Sequence, residues 1–185
     1  MGAPAAQPTA WTRADAERWL LDLELFGMTF GLERMRRLLT VLGSPQERFR
    51  SVHVVGSNGK SSTVRMLAAI LQGHGLRTGA YLSPHLVSFT ERVRVDGADV
   101  SDADFAAAVA RVARAAATVN RALPAGEVVT QFEALTAVAY DELARAGVQV
   151  AVVEAGLGGR YDATNVIGSE VQVLTSVSLE HTRWL

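Results

Sequence analysis

Cysteine is absent from the 185-residue sequence, which excludes disulfides, thiol nucleophiles and cysteine-bound metals. This absence fits a cytoplasmic protein, and the cytoplasm is the location that we expect. No apolar run approaches the roughly 20 residues that a membrane-spanning helix needs. The 18 basic and 19 acidic residues nearly cancel, and no basic stripe stands out. We therefore expect neither a nucleic acid nor a membrane as a partner.

The start of the chain differs in composition from the rest. Residues 1–9 are rich in alanine and proline, and they lack the basic and apolar segments of a signal peptide. We predict a disordered tail over residues 1–10. Residues 11–185 are numerous enough to form one domain with a sizeable core.

A glycine loop at residues 56–59 gives the strongest indication of function. It follows a β-branched apolar run and precedes a helical spacing of apolar residues, an order of parts typical of ATP-phosphate binding. The general pattern G-x-x-x-x-G-K-[ST] is imperfect, because its first glycine would fall at Val54. We favour nucleotide binding over an ordinary strand-to-helix turn because of this context. The predicted nucleotide-binding residues are Ser57, Asn58, Gly59, Lys60, Ser61 and Ser62.

Strands alternate with helices along most of the chain. The apolar patterns predict strands at 51–55, 78–82, 148–153 and 171–176, with a hairpin of 92–95 and 98–100. They predict helices at 12–25, 32–42, 63–72, 102–123 and 132–146. This alternation indicates an α/β fold, with a mostly parallel sheet flanked by helices on both sides.

Three polar residues follow predicted strands. Ser83, Glu154 and His181 should reach the edge of the sheet that carries the glycine loop, because ligands of parallel sheets bind at the carboxyl ends of the strands. There they could hold Mg²⁺, which prefers oxygen ligands. Spacing alone leaves other interpretations open. Glu154 could be a solvated acid, His181 a structural residue, and Ser83 a turn former before proline.

Two further segments are candidates for substrate contact. Gly156 to Arg160 form a second glycine loop, which could approach a ligand closely and supply an anion clamp. Thr130 to Glu133 could place an aromatic ring and polar groups beside a flat substrate. The same four residues could equally begin a helix as a capping box.

These residues fall in blocks that resemble the folylpolyglutamate synthase/dihydrofolate synthase family of the Mur-ligase superfamily, from about residue 11 to the end. Besides the phosphate loop, the blocks are FGLERM (30–35), SPHL (83–86), ERVRVDG (91–97), TQFE (130–133), EAGLGGRYDATN (154–165) and SLEHT (178–182). The resemblance implies a Mur-ligase-like central domain with a phosphate-binding loop. It also implies an ATP-dependent ligase that joins L-glutamate to dihydropteroate or a folate through an acyl phosphate.

The resemblance further implies a role for each matching residue. Lys60, Glu154 and His181 would be catalytic, with ATP and Mg²⁺ as cofactors. The Mg²⁺ ligands would be Ser83, Glu154 and His181. The pterin substrate would lie at Thr130, Gln131, Phe132, Glu133, Tyr161, Asp162 and Ala163. Similar enzymes are often monomers, so we expect a monomer at full length.

Two departures from the family pattern bear on function. Ser61 stands where the family usually has glycine, so either Ser61 or Ser62 could face the nucleotide metal. The family's modified lysine and carboxy-terminal domain would lie beyond His181 and are not in this sequence. We therefore expect an incomplete ligase domain that exposes apolar surface and does not complete catalysis alone.

Three alternative functions remain at this point. A Mur-type ligase of a peptidoglycan precursor would need the phosphate loop but not the Gly156–Asn165 block. The chain could instead be a nucleotide-binding fragment without turnover. An unrelated phosphate-loop ATPase or switch would not need the second glycine loop.

Overall fold

The computed structural model describes residues 10–24 and 31–178. These residues form a six-stranded sheet with five α-helices. The helices are α1 (Arg13–Leu21), α2 (Glu33–Val41), α3 (Lys60–Gly73), α4 (Asp102–Asn120) and α5 (Gln131–Arg145). The strands are β1 (Arg50–Val55), β2 (Thr78–Tyr81), β3 (Val93–Val95), β4 (Ala98–Asp99), β5 (Val150–Glu154) and β6 (Val171–Leu174).

The order of strands across the sheet is β4-β3-β2-β5-β1-β6. Strands β2, β5, β1 and β6 are parallel, whereas β3 pairs antiparallel with both β2 and β4. The β3–β4 turn has positive φ at Asp96 (48°) and Gly97 (78°), as a two-residue hairpin requires. The predicted α/β fold with a mostly parallel sheet is confirmed, and so is the predicted hairpin.

Helices cover both faces of the sheet. On one face, α3 packs on β1, β2 and β5 through a small cluster that includes Val64, Val54 and Val152. On the other face, α4 and α5 form the larger core with α1 and α2, around Phe105 and Tyr140. Every residue of β5 is buried, as expected for a strand in a sheet that helices cover on both faces.

Side-chain caps fix the starts of three helices. Thr12 and Asp15 form a capping box on α1, Thr130 and Glu133 form one on α5, and Ser101 caps α4. The predicted helix ends were less accurate. Helix α1 ends at Leu21 rather than residue 25, and α4 ends at residue 120 rather than 123. Strand β6 ends at residue 174 rather than 176.

Strand β6 lies at the edge of the sheet and exposes apolar side chains. The exposed fractions are 51% for Val171, 66% for Leu174 and, just after the strand, 74% for Val177. This agrees with the predicted exposure of apolar surface. No helix in the described ranges is both long and apolar enough to span a membrane. The predicted tail lies outside the described residues except for Ala10, which is exposed.

Candidate functional site

Glu154 is the point where three strand ends meet. It ends β5, which lies between β1 and β2 in the sheet. The Ser61 hydroxyl, at the start of α3, donates to Glu154 Oε1 at 2.8 Å. The Ser83 backbone N–H, just after β2, donates to Glu154 Oε2 at 3.2 Å. The phosphate loop, Ser83 and Glu154 therefore lie together at one edge, as the sequence predicts.

The Glu154 carboxyl is buried, with 2% of its surface exposed. Burial raises the pKa of Glu154, and the hydrogen bonds from Ser61 and Ser83 and the charges of Lys60 and Arg65 oppose this rise only in part. A cation placed beside a buried carboxyl group stabilises its ionised form. The carboxylate of Glu154 and the hydroxyls of Ser61 and Ser83 are oxygen donors of the kind that Mg²⁺ prefers.

The amino terminus of α3 has the form of an anion site. Its N-cap is Gly59, in a left-handed conformation (φ 82°), and no side chain caps the helix. The first turn of α3 also lacks acidic residues, unlike those of α1, α4 and α5. The backbone N–H groups of a first helical turn have no partner within the helix. Together with the helix dipole, they favour a phosphate at this end.

Lys60 folds over the loop that precedes it. Its Nζ donates to the carbonyl oxygens of Gly56 at 2.7 Å and Ser57 at 3.1 Å. Lys60 is also the only lysine in the sequence, since every other residue among the 18 Lys and Arg is arginine. Lysine supplies a compact charge on a flexible stem, which suits a group that must move onto phosphate oxygens.

The other predicted nucleotide residues differ in their surroundings. Ser57 is bound to the chain after β6, because its N–H donates to the Ser176 oxygen at 2.7 Å. The Ser57 hydroxyl also accepts from the Ser178 N–H at 3.0 Å and donates to the Ser178 oxygen at 3.2 Å. Asn58 and Ser62 are exposed. Of the two serines after the lysine, it is Ser61 that contacts Glu154.

The segment Thr130–Glu133 serves mainly to hold α5 in place. The Arg34 Nε donates to both carboxylate oxygens of Glu133, at 3.0 and 2.8 Å. The Thr130 N–H and hydroxyl donate to Glu133 Oε2 at 2.9 and 3.0 Å. The Gln131 amide donates to the Leu20 oxygen at 2.9 Å. The side chains of Thr130, Gln131 and Glu133 therefore have partners within the protein. Arg34 was not identified from the sequence as the partner of Glu133.

The Phe132 ring lies against the second glycine loop. A Cβ atom added to Gly156 would come within 2.4 Å of the ring carbon Cζ, so only glycine allows this close packing. The two segments that the sequence offers as candidates for substrate contact, Thr130–Glu133 and the second glycine loop, are thus adjacent in space. Phe132 itself is only partly buried.

The remaining predicted substrate residues belong to the segment after this loop. Tyr161 is 59% exposed, and the Arg160 guanidinium lies 5.6 Å from its ring centre. Asp162 is buried, and its Oδ2 accepts from the Leu157 N–H at 2.8 Å. Ala163 is also buried and begins a short 3₁₀ helix.

His181, predicted to be catalytic and a metal ligand, lies outside the described residues. Among the residues that the structure describes, no three His, Cys, Asp or Glu side chains are grouped to hold a metal ion. A pocket of about 460 Å³, lined in part by Arg50 and Glu170, opens near the amino ends of β1 and β5, at the opposite end of the strands from Glu154. That pocket is remote from Glu154.

Comparisons with known proteins agree with this geometry. No family model matches the chain. A Mycobacterium tuberculosis protein, "Dihydrofolate synthase/folylpolyglutamate synthase", is 42% identical over 159 residues, or 83% of this chain and 33% of that protein. The structure of Escherichia coli FolC in complex with DHPP and ADP has a TM-score of 0.85 at 36% identity, and the match covers 97% of this chain and 42% of that one.

A second solved structure gives the same result. It is a bifunctional folylpolyglutamate synthase/dihydrofolate synthase with Mn, AMPPNP and L-glutamate bound, and its TM-score is 0.83 at 34% identity. The match covers 98% of this chain and 42% of that one. The chain thus spans about a third of the length of the M. tuberculosis relative, and it corresponds to an amino-terminal portion of these proteins. On this sequence and structural similarity, the chain belongs to the folylpolyglutamate synthase/dihydrofolate synthase family.

Proposed function

We propose that the protein takes part in ATP-dependent ligation of L-glutamate to dihydropteroate or a folate, through an acyl phosphate. The convergence of the Lys60 loop, Ser61 and Ser83 on the buried carboxylate of Glu154 is the observation that carries this proposal. Solved relatives with DHPP and ADP bound, and with Mn, AMPPNP and L-glutamate bound, support it.

The phosphate loop would bind the nucleotide. The backbone N–H groups at the start of α3 would donate hydrogen bonds to the phosphate oxygens, and Lys60 would leave the carbonyls of Gly56 and Ser57 to neutralise the phosphate charge. Ser57 and Asn58 would shape the loop, and Ser62 would lie on its exposed side. Gly59 allows the left-handed turn that begins the helix.

Glu154 and Ser83 would hold Mg²⁺, with His181 as the third ligand implied by the family pattern. Ser61 would face the metal bound to the nucleotide. Bound Mg²⁺ supplies charge neutralisation for the transferring phosphoryl group. The main barrier to this chemistry is that two anions must come close together. The protein residues would lower that barrier by holding both anions in position.

The acyl phosphate solves the problem of the leaving group. A carboxylate is a poor acyl donor, because oxide would have to leave when an amine attacks it. Transfer of the γ-phosphoryl group to a carboxylate oxygen creates a bond that breaks with loss of phosphate. The glutamate amine then attacks the carbonyl carbon, and an amide forms as phosphate departs.

The pterin substrate would lie along the surface made by Phe132 and the glycine loop. Phe132 would contact the flat ring, with Tyr161 at the exposed margin. Thr130, Gln131, Glu133, Asp162 and Ala163 would form the frame that supports this surface. We further propose a cytoplasmic monomer at full length, which uses dihydropteroate or folate, L-glutamate and ATP.

Lys60→Ala tests the nucleotide assignment. We expect the ATP dissociation constant to rise by about tenfold or more, because a charge-assisted hydrogen bond is lost. Arg114→Ala, at an exposed cation on α4, is the matched control. Because Lys60 is the only lysine, reductive ¹³C-methylation labels just two groups, the Lys60 amine and the α-amino group of the chain. The methylated lysine retains its positive charge. ATP with Mg²⁺ should shift this lysine resonance.

The ligase assignment needs a turnover assay in the longest polypeptide that the gene encodes. Phosphate release should require ATP, L-glutamate and dihydropteroate or a folate together, and Lys60→Ala should abolish it. Release that requires a UDP-muramoyl substrate instead would favour the Mur-type alternative. ATP binding by Lys60→Ala at the level of the unmodified protein would contradict the phosphate-loop assignment.

A further inference from the structure

A chain of buried polar groups leads from the interior of the sheet to the second glycine loop. His53, on β1, is 1% exposed, and Thr164 is fully buried. The His53 Nε2 lies 2.8 Å from the Thr164 hydroxyl oxygen. That hydroxyl donates its single hydrogen to Asp162 Oδ1. The imidazole must therefore carry its hydrogen on Nε2 and donate it to Thr164.

Asp162 connects this relay to the loop. Its Oδ1 accepts from the Thr164 hydroxyl and also from the Thr164 N–H at 3.0 Å. Its other oxygen, Oδ2, accepts from the Leu157 N–H at 2.8 Å. Both oxygens are thus used within the protein. The Leu157 hydrogen bond fixes the loop at the residue next to Gly156, which packs against Phe132.

We propose that His53 and Thr164 are positioning residues for the pterin-binding surface. They orient the Asp162 carboxylate, which holds the Leu157 N–H and keeps the glycine loop against Phe132. This inference goes beyond assigning Asp162 to substrate binding, because it gives a function to two residues inside the sheet. It rests on the proposed function only for the identity of the ligand.

The Thr164 hydroxyl can be removed without removing the other anchors of this region. The Tyr140 hydroxyl donates to the Thr164 backbone oxygen at 2.9 Å, and that bond does not involve the Thr164 side chain. The backbone of His53 pairs with β5 on one side and β6 on the other. Replacement of Thr164 by valine keeps the branched shape and deletes the hydroxyl, whereas serine keeps the hydroxyl.

The first experiment needs no substrate. Hydrogen exchange at the Leu157 amide is compared among the unmodified chain, Thr164→Val and Thr164→Ser. We expect exchange at Leu157 to be about tenfold faster or more in T164V, because the carboxylate that protects this amide loses its orientation. T164S should retain the original rate, and amides of β5 should not change. An unchanged Leu157 rate in T164V would overturn the proposal.

The second experiment measures binding. T164V should weaken binding of dihydropteroate by about tenfold, T164S should restore it, and the ATP dissociation constant should stay the same in both. Equal weakening for both ligands in T164V would indicate general destabilisation and overturn the positioning role. If the unmodified protein binds no dihydropteroate, the proposed function fails, while the exchange experiment still decides the role of the relay.

A second variant covers the case in which T164V does not fold. Asp162→Asn retains the size of the side chain but removes the charge that accepts from Leu157 and Thr164. It should also accelerate exchange at the Leu157 amide by about tenfold. An unchanged rate in D162N would likewise overturn the proposal.

Discussion

The Arg34–Glu133 ion pair makes a strong prediction about stability. The two side chains are 9% and 7% exposed, and the Arg34 Nε lies 2.8 Å from Glu133 Oε2. Glu133→Gln keeps the shape of the side chain but leaves the guanidinium buried without its main counter-charge. Removing one partner of a buried pair destabilises a protein by about 3–5 kcal/mol. We expect the lower end of this range, because Glu127 Oε2 remains 3.5 Å from Arg34 Nη1.

Urea unfolding followed by circular dichroism measures this effect. A loss of about 3 kcal/mol corresponds to a drop of roughly 6–12 °C in Tm for a chain of this size. Glu33→Gln is the matched control, because Glu33 pairs with Arg37 at a similar 2.9 Å on the surface, with side chains 68% and 49% exposed. That variant should lose only about 0.3–0.5 kcal/mol.

The result also separates two roles for Glu133. If the free energy of unfolding of E133Q is within about 1 kcal/mol of that of the unmodified chain, and its slope against urea concentration is the same, the buried pair contributes little and our reasoning is wrong. If it loses little stability yet binds dihydropteroate poorly, Glu133 contacts the substrate directly. A large loss of stability together with retained binding by the folded fraction would identify it as part of the frame.

Two further predictions concern the glycine loop and the pH dependence of stability. Gly156→Ala should lower the free energy of unfolding in urea by about 1–3 kcal/mol, because the added carbon clashes with Phe132. Gly168→Ala, with no atom within 4 Å of the added carbon, should leave the free energy of unfolding nearly unchanged. Equal effects of the two variants would contradict the assigned packing. Burial lowers the pKa of His53 below 6.5, so the unfolded chain binds more protons and stability falls as the pH falls through this region. His53→Gln should therefore flatten the slope of unfolding free energy against pH between about pH 7.5 and 5. The contribution of His85, whose pKa burial also lowers, should remain. An unchanged slope would show that His53 does not titrate as described.

Local sequence patterns predicted the elements of the fold but not their arrangement. The turn at Asp96-Gly97 depends on neighbouring residues and was predicted correctly, and the capping box at Thr130 was one of the two interpretations that the sequence left open. The insertion of β5 between β1 and β2 depends on pairing between residues that are 100 positions apart for β1 and 72 for β2. Nothing in the local periodicity of a strand specifies which neighbour it pairs with.

The candidate site shows the same division. The positions of Ser83 and Glu154 at strand ends were enough to predict that they lie near the phosphate loop. The choice between Ser61 and Ser62 depends on the rotation of the first turn of α3, which the sequence does not specify. The partner of Glu133 is Arg34, 99 residues away, so its burial as an ion pair could not be inferred from the TQFE block.

Charge balance distinguishes the carboxylates around the site. Glu133 has a guanidinium and two donors from Thr130, and Asp162 has three donors from Leu157 and Thr164. Among the residues that the structure describes, Glu154 has only a hydroxyl and one backbone N–H as hydrogen-bond donors, and burial raises its pKa. Of these three buried acids, Glu154 is therefore the one that would gain most from a bound cation. The other two are already compensated, which suits residues that hold a binding surface rigid rather than take part in the chemistry.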